Sequence, residues 1–167
     1  MLEIMVLANL LLGQSHAYKL KNDLKILNPN NNTIYPLLNK LEEKGYVEGK
    51  KELQESRPYK TTYHITESGR DHFIELLCDF DVREAFNNDA FYIRVAFFQL
   101  LDINDIAKII RTRERALNNF AHAQEILDEM NDTEPPEELV MLQDYMQKRE
   151  AKEFQFLDML RKKYNLK

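Results

Sequence analysis

Within one short window the chain carries Asn32, Thr33, Tyr35, Asn39 and Lys40, five side chains that can donate hydrogen bonds. They lie largely off an apolar stripe, Ile34, Leu37, Leu38 and Leu41, that recurs at helical spacing. A helix of this kind buries one face and leaves the other free to touch something. Amide side chains suit adenine, and a lysine suits guanine or a phosphate, so the free face has the chemistry to enter a major groove of DNA. Read without context, the same residues would also make an ordinary solvated helix face. Tyr18, Lys19, Lys50, Lys51, Arg57 and Lys60 form a second group, which could neutralise phosphates or merely solubilise exposed turns. A third group, Phe91, Tyr92, Phe97 and Phe98, could line an effector pocket or form plain core.

Other chemistries find no support. There is no Gly-rich phosphate loop, no nucleophile with an arranged base and no carboxylate–histidine grouping beyond what a 31% charged chain contains by chance, so catalysis is not expected. His16, His64, His72 and His122 are scattered without metal-ligand spacing, and the single cysteine, Cys78, sits among apolar neighbours as a small hydrophobe. No metal or cofactor is expected.

The elements that must position the first group follow from the flanking residues. Asparagines before Thr33 are N-cap material, and Gly45 after Lys44 reads as a C-terminal stop, so a helix spans about Asn30 to Gly45. Pro36 belongs in its first turn; if the helix starts as early as Asn31, the proline falls where its missing N–H is felt. Upstream, Leu2 to Leu12 is apolar nearly all round and ends at Gly13, and Ser15 is expected to cap a second helix, His16 to Leu27, with Ala17, Leu20, Leu24 and Leu27 inward. Three short helices joined by tight turns have the size and order of a helix-turn-helix. After Gly45 the period changes to two. Tyr46 to Lys51 and Tyr59 to Ile65 read as strands around a polar loop, Glu52 to Pro58, which makes a two-stranded wing. Thr66 then caps a helix to about Phe80.

These residues resemble the PadR-like transcriptional regulators. The likeness is carried by Ala17-Tyr18, by TIYPLLNKLEEKGYVE at Thr33 to Glu48 and by TTYHITESGR at Thr61 to Arg70; the chain has Ser15-His16-Ala17-Tyr18 where the family commonly has a glycine before the tyrosine. The resemblance implies a winged-helix repressor that dimerises through an extra C-terminal helical region and responds to small aromatic or hydrophobic compounds. Its implied partner is a double-stranded DNA operator.

Composition and charge agree with two units of different character. The 167 residues are 44% hydrophobic with only four glycines and no tryptophan, which points to a mainly helical, globular chain. The net charge of −5 argues at first against phosphate binding, but residues 1–78 hold ten basic and ten acidic side chains, so the excess of acid lies in the remaining 13 and 18. Residues 1–80 are thus expected to form the winged helix-turn-helix domain and 81–167 a helical dimerisation domain. In the second, Asp79 to Asp89 reads as a linker and DAFYIRVAFFQLL as one aromatic helix. Asn104 to Asn131 reads as a long helix whose stripe includes Phe120, Ala123, Leu127 and Met130, with Arg113 as a polar interruption. Pro135-Pro136 hinge this helix to a last one whose apolar stripe includes Leu139, Leu142, Met146, Phe156, Leu157 and Leu160. Such a hairpin buries little alone, which predicts a homodimer through the C-terminal helices. The apolar run Ile4 to Leu12 is broken by Asn9 and lacks a basic leader, so it predicts neither a signal peptide nor a membrane span, and a cytoplasmic protein. The competing expectation is a winged-helix module that assembles proteins without binding DNA.

Overall fold

The computed structural model describes residues 1–25, 29–54, 57–129 and 135–166, with side chains described for all of these except 52–54, 57–60 and 120–129. The chain divides into two compact units, Met1–Asp79 and Phe80–Lys167.

The first unit is a winged helix. Helix α1 (Leu2–Leu12) buries Ile4, Val6, Leu7, Ala8 and Leu10 and stops at Gly13. Strand β1 (Ser15–His16), helix α2 (Ala17–Asp23) and helix α3 (Asn31–Glu43) follow, then strands β2 (Val47–Gln54) and β3 (Arg57–Ile65) and helix α4 (Glu67–Cys78). The sheet is antiparallel in the order β1-β3-β2, with Ser15 opposite Tyr63 and Val47 opposite Ile65. Its core joins Leu20, Leu24, Ile34, Leu38, Leu41, Val47, Phe73 and Leu77.

Three sequence expectations change here. Ser15 does not cap α2; its backbone pairs with Tyr63 in a third strand, its side chain is buried, and His16 is the N-cap residue, so the helix begins one residue later. The wing strands run further than polarity suggested, reaching Gln54 and starting again at Arg57, because ladder hydrogen bonds need backbone and not apolar side chains. Leu27 lies outside the described residues, and α2 ends at Asp23 with Leu24 as its C-cap.

The second unit is helical. A 3-10 turn (Glu84–Phe86) leads to α5 (Asn88–Ala96), a second 3-10 turn (Phe98–Leu100), α6 (Ile103–Glu129) and α7 (Glu137–Lys163). The expected linker is a packed part of this unit: Phe80 and Ala85 are buried, and Glu84 pairs with Arg94 at 2.7 Å. The aromatic segment is two pieces, because α5 ends at the Phe97 cap. Asn87 caps α5 by accepting from Asp89 and Ala90 N–H at 2.9 and 3.2 Å, and Asp102 accepts from Asn104 and Asp105 at the start of α6. Phe120, Ala123 and Leu127 have backbone but not side chains among the described residues, and Met130 lies outside them.

Candidate nucleic-acid interface

Helix α3 has the two faces its sequence implies. Ile34, Leu38 and Leu41 are fully buried, whereas Asn31, Asn32, Thr33, Tyr35, Pro36, Asn39 and Lys40 are exposed. The helix starts at Asn31, which puts Pro36 in the second turn. Having no N–H, Pro36 leaves the Asn32 carbonyl without its i+4 donor. Asn32, Pro36, Asn39 and Glu43 fall at i, i+4, i+7 and i+11 and therefore form one outward line. Glu43 closes that line with a negative charge, a feature the reading of single donors passes over.

The hydrogen bonds within the helix start sort its residues. The Thr33 hydroxyl accepts from Asn30 N–H at 3.1 Å and donates to the Asn30 carbonyl at 2.9 Å, so it is occupied with fixing the first turn. Lys21 Nζ donates to Asn31 Oδ1 at 3.1 Å, tying α2 to α3. Tyr18 and Lys19 are exposed on α2, and Lys19 approaches Asp23 at 4.0 Å. Tyr35 is 45% exposed; Tyr46 stacks on the His72 ring at 4.1 Å, and His72 Nε2 lies 2.9 Å from Glu3.

The wing is clipped to the end of this helix. Gly45, with φ of +73°, and Tyr46 donate back to the Glu42 and Leu41 carbonyls, each at 2.9 Å, in a Schellman turn. Thr66 reinforces the turn. Its hydroxyl donates to the Gly45 carbonyl at 2.7 Å and accepts from Gly69 N–H at 3.0 Å, while its N–H donates to the Tyr46 carbonyl at 3.0 Å. Glu42 Oε1 accepts from Gly49 N–H at 3.1 Å on the outer edge of β2. The buried Tyr63 phenol is pushed above its usual value by burial first, then by the Glu42 carboxylate and by Tyr35. Lys50 and Lys51 are both exposed, opposite Thr62 and Thr61. Successive strand residues face opposite ways, so Lys51 shares the Gly49, Thr61 and Tyr63 face approached by Glu42, and Lys50 has the other. Arg57 and Lys60 are placed on β3 by backbone alone, their side chains lying outside the described ones.

Within the C-terminal unit, Phe91, Phe97 and Phe98 are buried in the core, while Tyr92 lines a cavity of about 480 Å³ with Val95, Ala96, Lys152, Glu153 and Phe156. Glu153 separates this space from a second cavity of about 230 Å³ walled by Phe86, Leu117 and Met146 and by the charged Arg113, Arg149 and Glu150. The Tyr92 hydroxyl donates to Glu153 Oε1, and Arg113 Nη2 donates to Glu153 Oε2 at 2.9 Å and to Asn88 Oδ1 at 2.6 Å. Tyr92 is shifted above its usual value by burial and by Glu153, against the opposing pull of Arg113 and Arg149. Arg113 is 1% exposed and its Nη1 also donates to the Ala85 carbonyl, which makes it the anchor of the unit instead of a break in a stripe. Arg94 is likewise buried, donating to the Ala90 carbonyl and to Glu84, with its guanidinium 4.3 Å from the Phe80 ring centre. On α7, Val140, Met141, Leu142 and Tyr145 are exposed, Met141 at 67% and Tyr145 at 61%.

Comparison with known proteins adds the following. Residues 6–75 match the model of the transcriptional regulator PadR-like family. A comparison with the curated proteins found no match. Among solved structures, the chain is similar to the smu.1704 protein of Streptococcus mutans, with 30% identity over 45% of this chain and 71% of that one and a TM-score of 0.41. It is also similar to a PadR-like transcriptional regulator from Bacillus cereus, with 26% identity over 44% and 75% and a TM-score of 0.39. Similarity to Bacillus subtilis PadR in complex with operator DNA extends over 98% of both chains, with 20% identity and a TM-score of 0.46.

Proposed function

Because residues 6–75 make this chain a member of the PadR-like family of transcriptional regulators, a family of regulators and not of enzymes, we propose that it is a sequence-specific repressor that binds a double-stranded operator as a homodimer and is released by a small-molecule effector. The observation that carries DNA binding is the exposed polar face of α3, backed by the buried Ile34, Leu38 and Leu41 and clipped to the wing through Glu42 and Gly49. Asn32, Tyr35, Asn39 and Lys40 enter the major groove, where the Pro36 ring offers an apolar contact for a thymine methyl. Thr33 serves by holding the helix start. Tyr18 and Lys19 on α2, and Lys50, Lys51, Arg57 and Lys60 on the wing, hold phosphates and set the register.

Dimerisation uses α7, whose Val140, Met141, Leu142 and Tyr145 form an exposed apolar group that a second copy would cover. The units divide the work accordingly: DNA binding in residues 1–80 and dimerisation with effector binding in 81–167. A dimer must space its recognition helices by about 34 Å or a multiple of it, so an effector that favours another spacing lowers operator affinity by population shift. The effector lodges beside Tyr92, whose ring packs against Phe91 and Phe156, while Phe97 and Phe98 belong to the core of the unit. No helix among the described residues is long and apolar enough to cross a membrane, and we place the protein in the cytoplasm, where its operator is.

Selection of bound fragments from the native genome tests this reading. Enrichment of one short, two-fold-symmetric sequence is expected. Recovery of fragments in proportion to their abundance would overturn it in favour of a module that assembles proteins.

A further inference from the structure

Two residues that line the smaller cavity each carry a buried polar atom without a partner among the described residues. Arg113 Nε–H has no acceptor although the rest of its guanidinium is engaged, and Glu150 Oε1 has no donor. Both residues line the same space of about 230 Å³. Buried polar atoms of this kind take hydrogen-bond partners from water or from a bound molecule, and a ligand that supplies both an acceptor and a donor matches the pair. Among the described residues the charges around the space balance, two arginines (Arg113 and Arg149) against two glutamates (Glu150 and Glu153). A ligand carrying net charge would therefore gain from one pair and be repelled by the other. Phe86, Leu117 and Met146 supply an apolar wall, and the volume lies below the roughly 300–1,000 Å³ of drug-sized sites, which limits the occupant to about one ring.

We propose that this cavity is a binding site for a small neutral carboxamide, whose carbonyl accepts from Arg113 Nε–H and whose N–H donates to Glu150 while its ring packs on Phe86, Leu117 and Met146. The ligand binds as an intact molecule with no bond made or broken. Glu153 is shared with the cavity beside Tyr92, so occupancy also bears on the Tyr92–Glu153–Arg113 chain that joins α5, α6 and α7. That its occupancy acts on the effector site beside Tyr92 rests on the regulatory reading above; the binding itself does not.

The test is calorimetric titration of the full chain with three probes of equal size: benzamide, benzoate and benzylamine. Benzamide is expected to saturate one site, with the two charged probes weaker by about tenfold or more, the worth of one hydrogen bond to a charged group. Glu150→Leu, on the partly exposed face of α7, should weaken benzamide by about tenfold or more, and Glu150→Gln, which keeps an acceptor oxygen, should restore most of it. Equal affinity for all three probes, no binding of benzamide, or full benzamide affinity in a folded Glu150→Leu protein would each overturn the site. Benzamide that binds as expected yet leaves operator affinity unchanged would confirm the site and remove only its link to regulation.

Discussion

Replacing Gly69 by alanine should unhinge the wing from the recognition helix, and the size of the effect can be worked from the structure. A β-carbon at Gly69 would sit 2.8 Å from the Tyr46 carbonyl carbon, 2.9 Å from Ile65 Cγ1 and closer still to the Tyr46 oxygen. Carbon atoms in good contact lie about 3.5–4.0 Å apart. Two of these neighbours are backbone, so α4 must move away from the start of β2. Overpacking of this kind costs about 1–3 kcal/mol, and the shift also strains the 3.0 Å bond from Thr66 N–H to the Tyr46 carbonyl, worth about 1 kcal/mol. The sum is roughly 2–4 kcal/mol, and each kcal/mol moves the midpoint of a unit this size by about 4–8 °C. Thermal unfolding followed by circular dichroism gives the comparison with two further variants. Gly45→Ala, at φ of +73°, should cost about 1–2 kcal/mol, and Gly13→Ala, with extended backbone and nothing within 4 Å of its β-carbon, about 0.5 kcal/mol or less. A Gly69→Ala midpoint no lower than that of Gly13→Ala would refute the close approach of α4 to Tyr46.

Other perturbations bear on the remaining parts. Lys51→Ala should reduce the salt slope of operator binding by about one unit, and an unchanged slope would remove Lys51 from the phosphate contacts; Lys50→Ala, on the opposite strand face, is measured separately. Arg113→Ala strands Glu153 in a largely buried site and should lower urea stability of the C-terminal unit by about 3–5 kcal/mol, with a loss under about 1 kcal/mol contradicting its role as anchor. The Tyr92 phenol holds its proton longer in the folded than in the unfolded chain, so its contribution is intact below pH 10.0 and lost as pH rises through the higher folded value. The absorbance difference between the protein and its Tyr92→Phe variant should show this phenolate forming with a midpoint above pH 10.0, and a midpoint at or below that value would contradict the burial argument. Met141→Glu with Tyr145→Glu should sediment as a monomer; a persisting dimer would place the interface away from α7.

Much of the winged helix can be read from the sequence because its signals are local. The Ile34–Leu38–Leu41 stripe, Gly45 at the helix end and Thr66 as a cap each act within a turn or two of themselves. Strand β1 was not legible, since two residues carry no period and their extended form exists only through pairing with β3. The buried arginines were hidden for a related reason. Arg113 looks like a defect in an apolar stripe until the Ala85 carbonyl, Asn88 and Glu153 are seen converging on it from other elements. An arginine that falls in register with Ile106, Ile109 and Ile110 is the signal that could have marked it. At the interface, exposure of Asn32, Asn39 and Lys40 follows from periodicity and the engagement of Thr33 with Asn30 is a local one three residues apart, but that of Asn31 with Lys21 is set by a neighbour on another helix.

Operator binding itself is tested most directly by a shift assay of the full chain with DNA from its own promoter region at about 50 and 200 mM salt. A dimer making about six phosphate contacts should retard that DNA at the lower salt and lose about a thousandfold in affinity at the higher one, while unrelated DNA binds far more weakly at both. No retardation of the promoter DNA at the lower salt, or an affinity indifferent to salt, would contradict the reading of α3 and the wing as a DNA-binding surface.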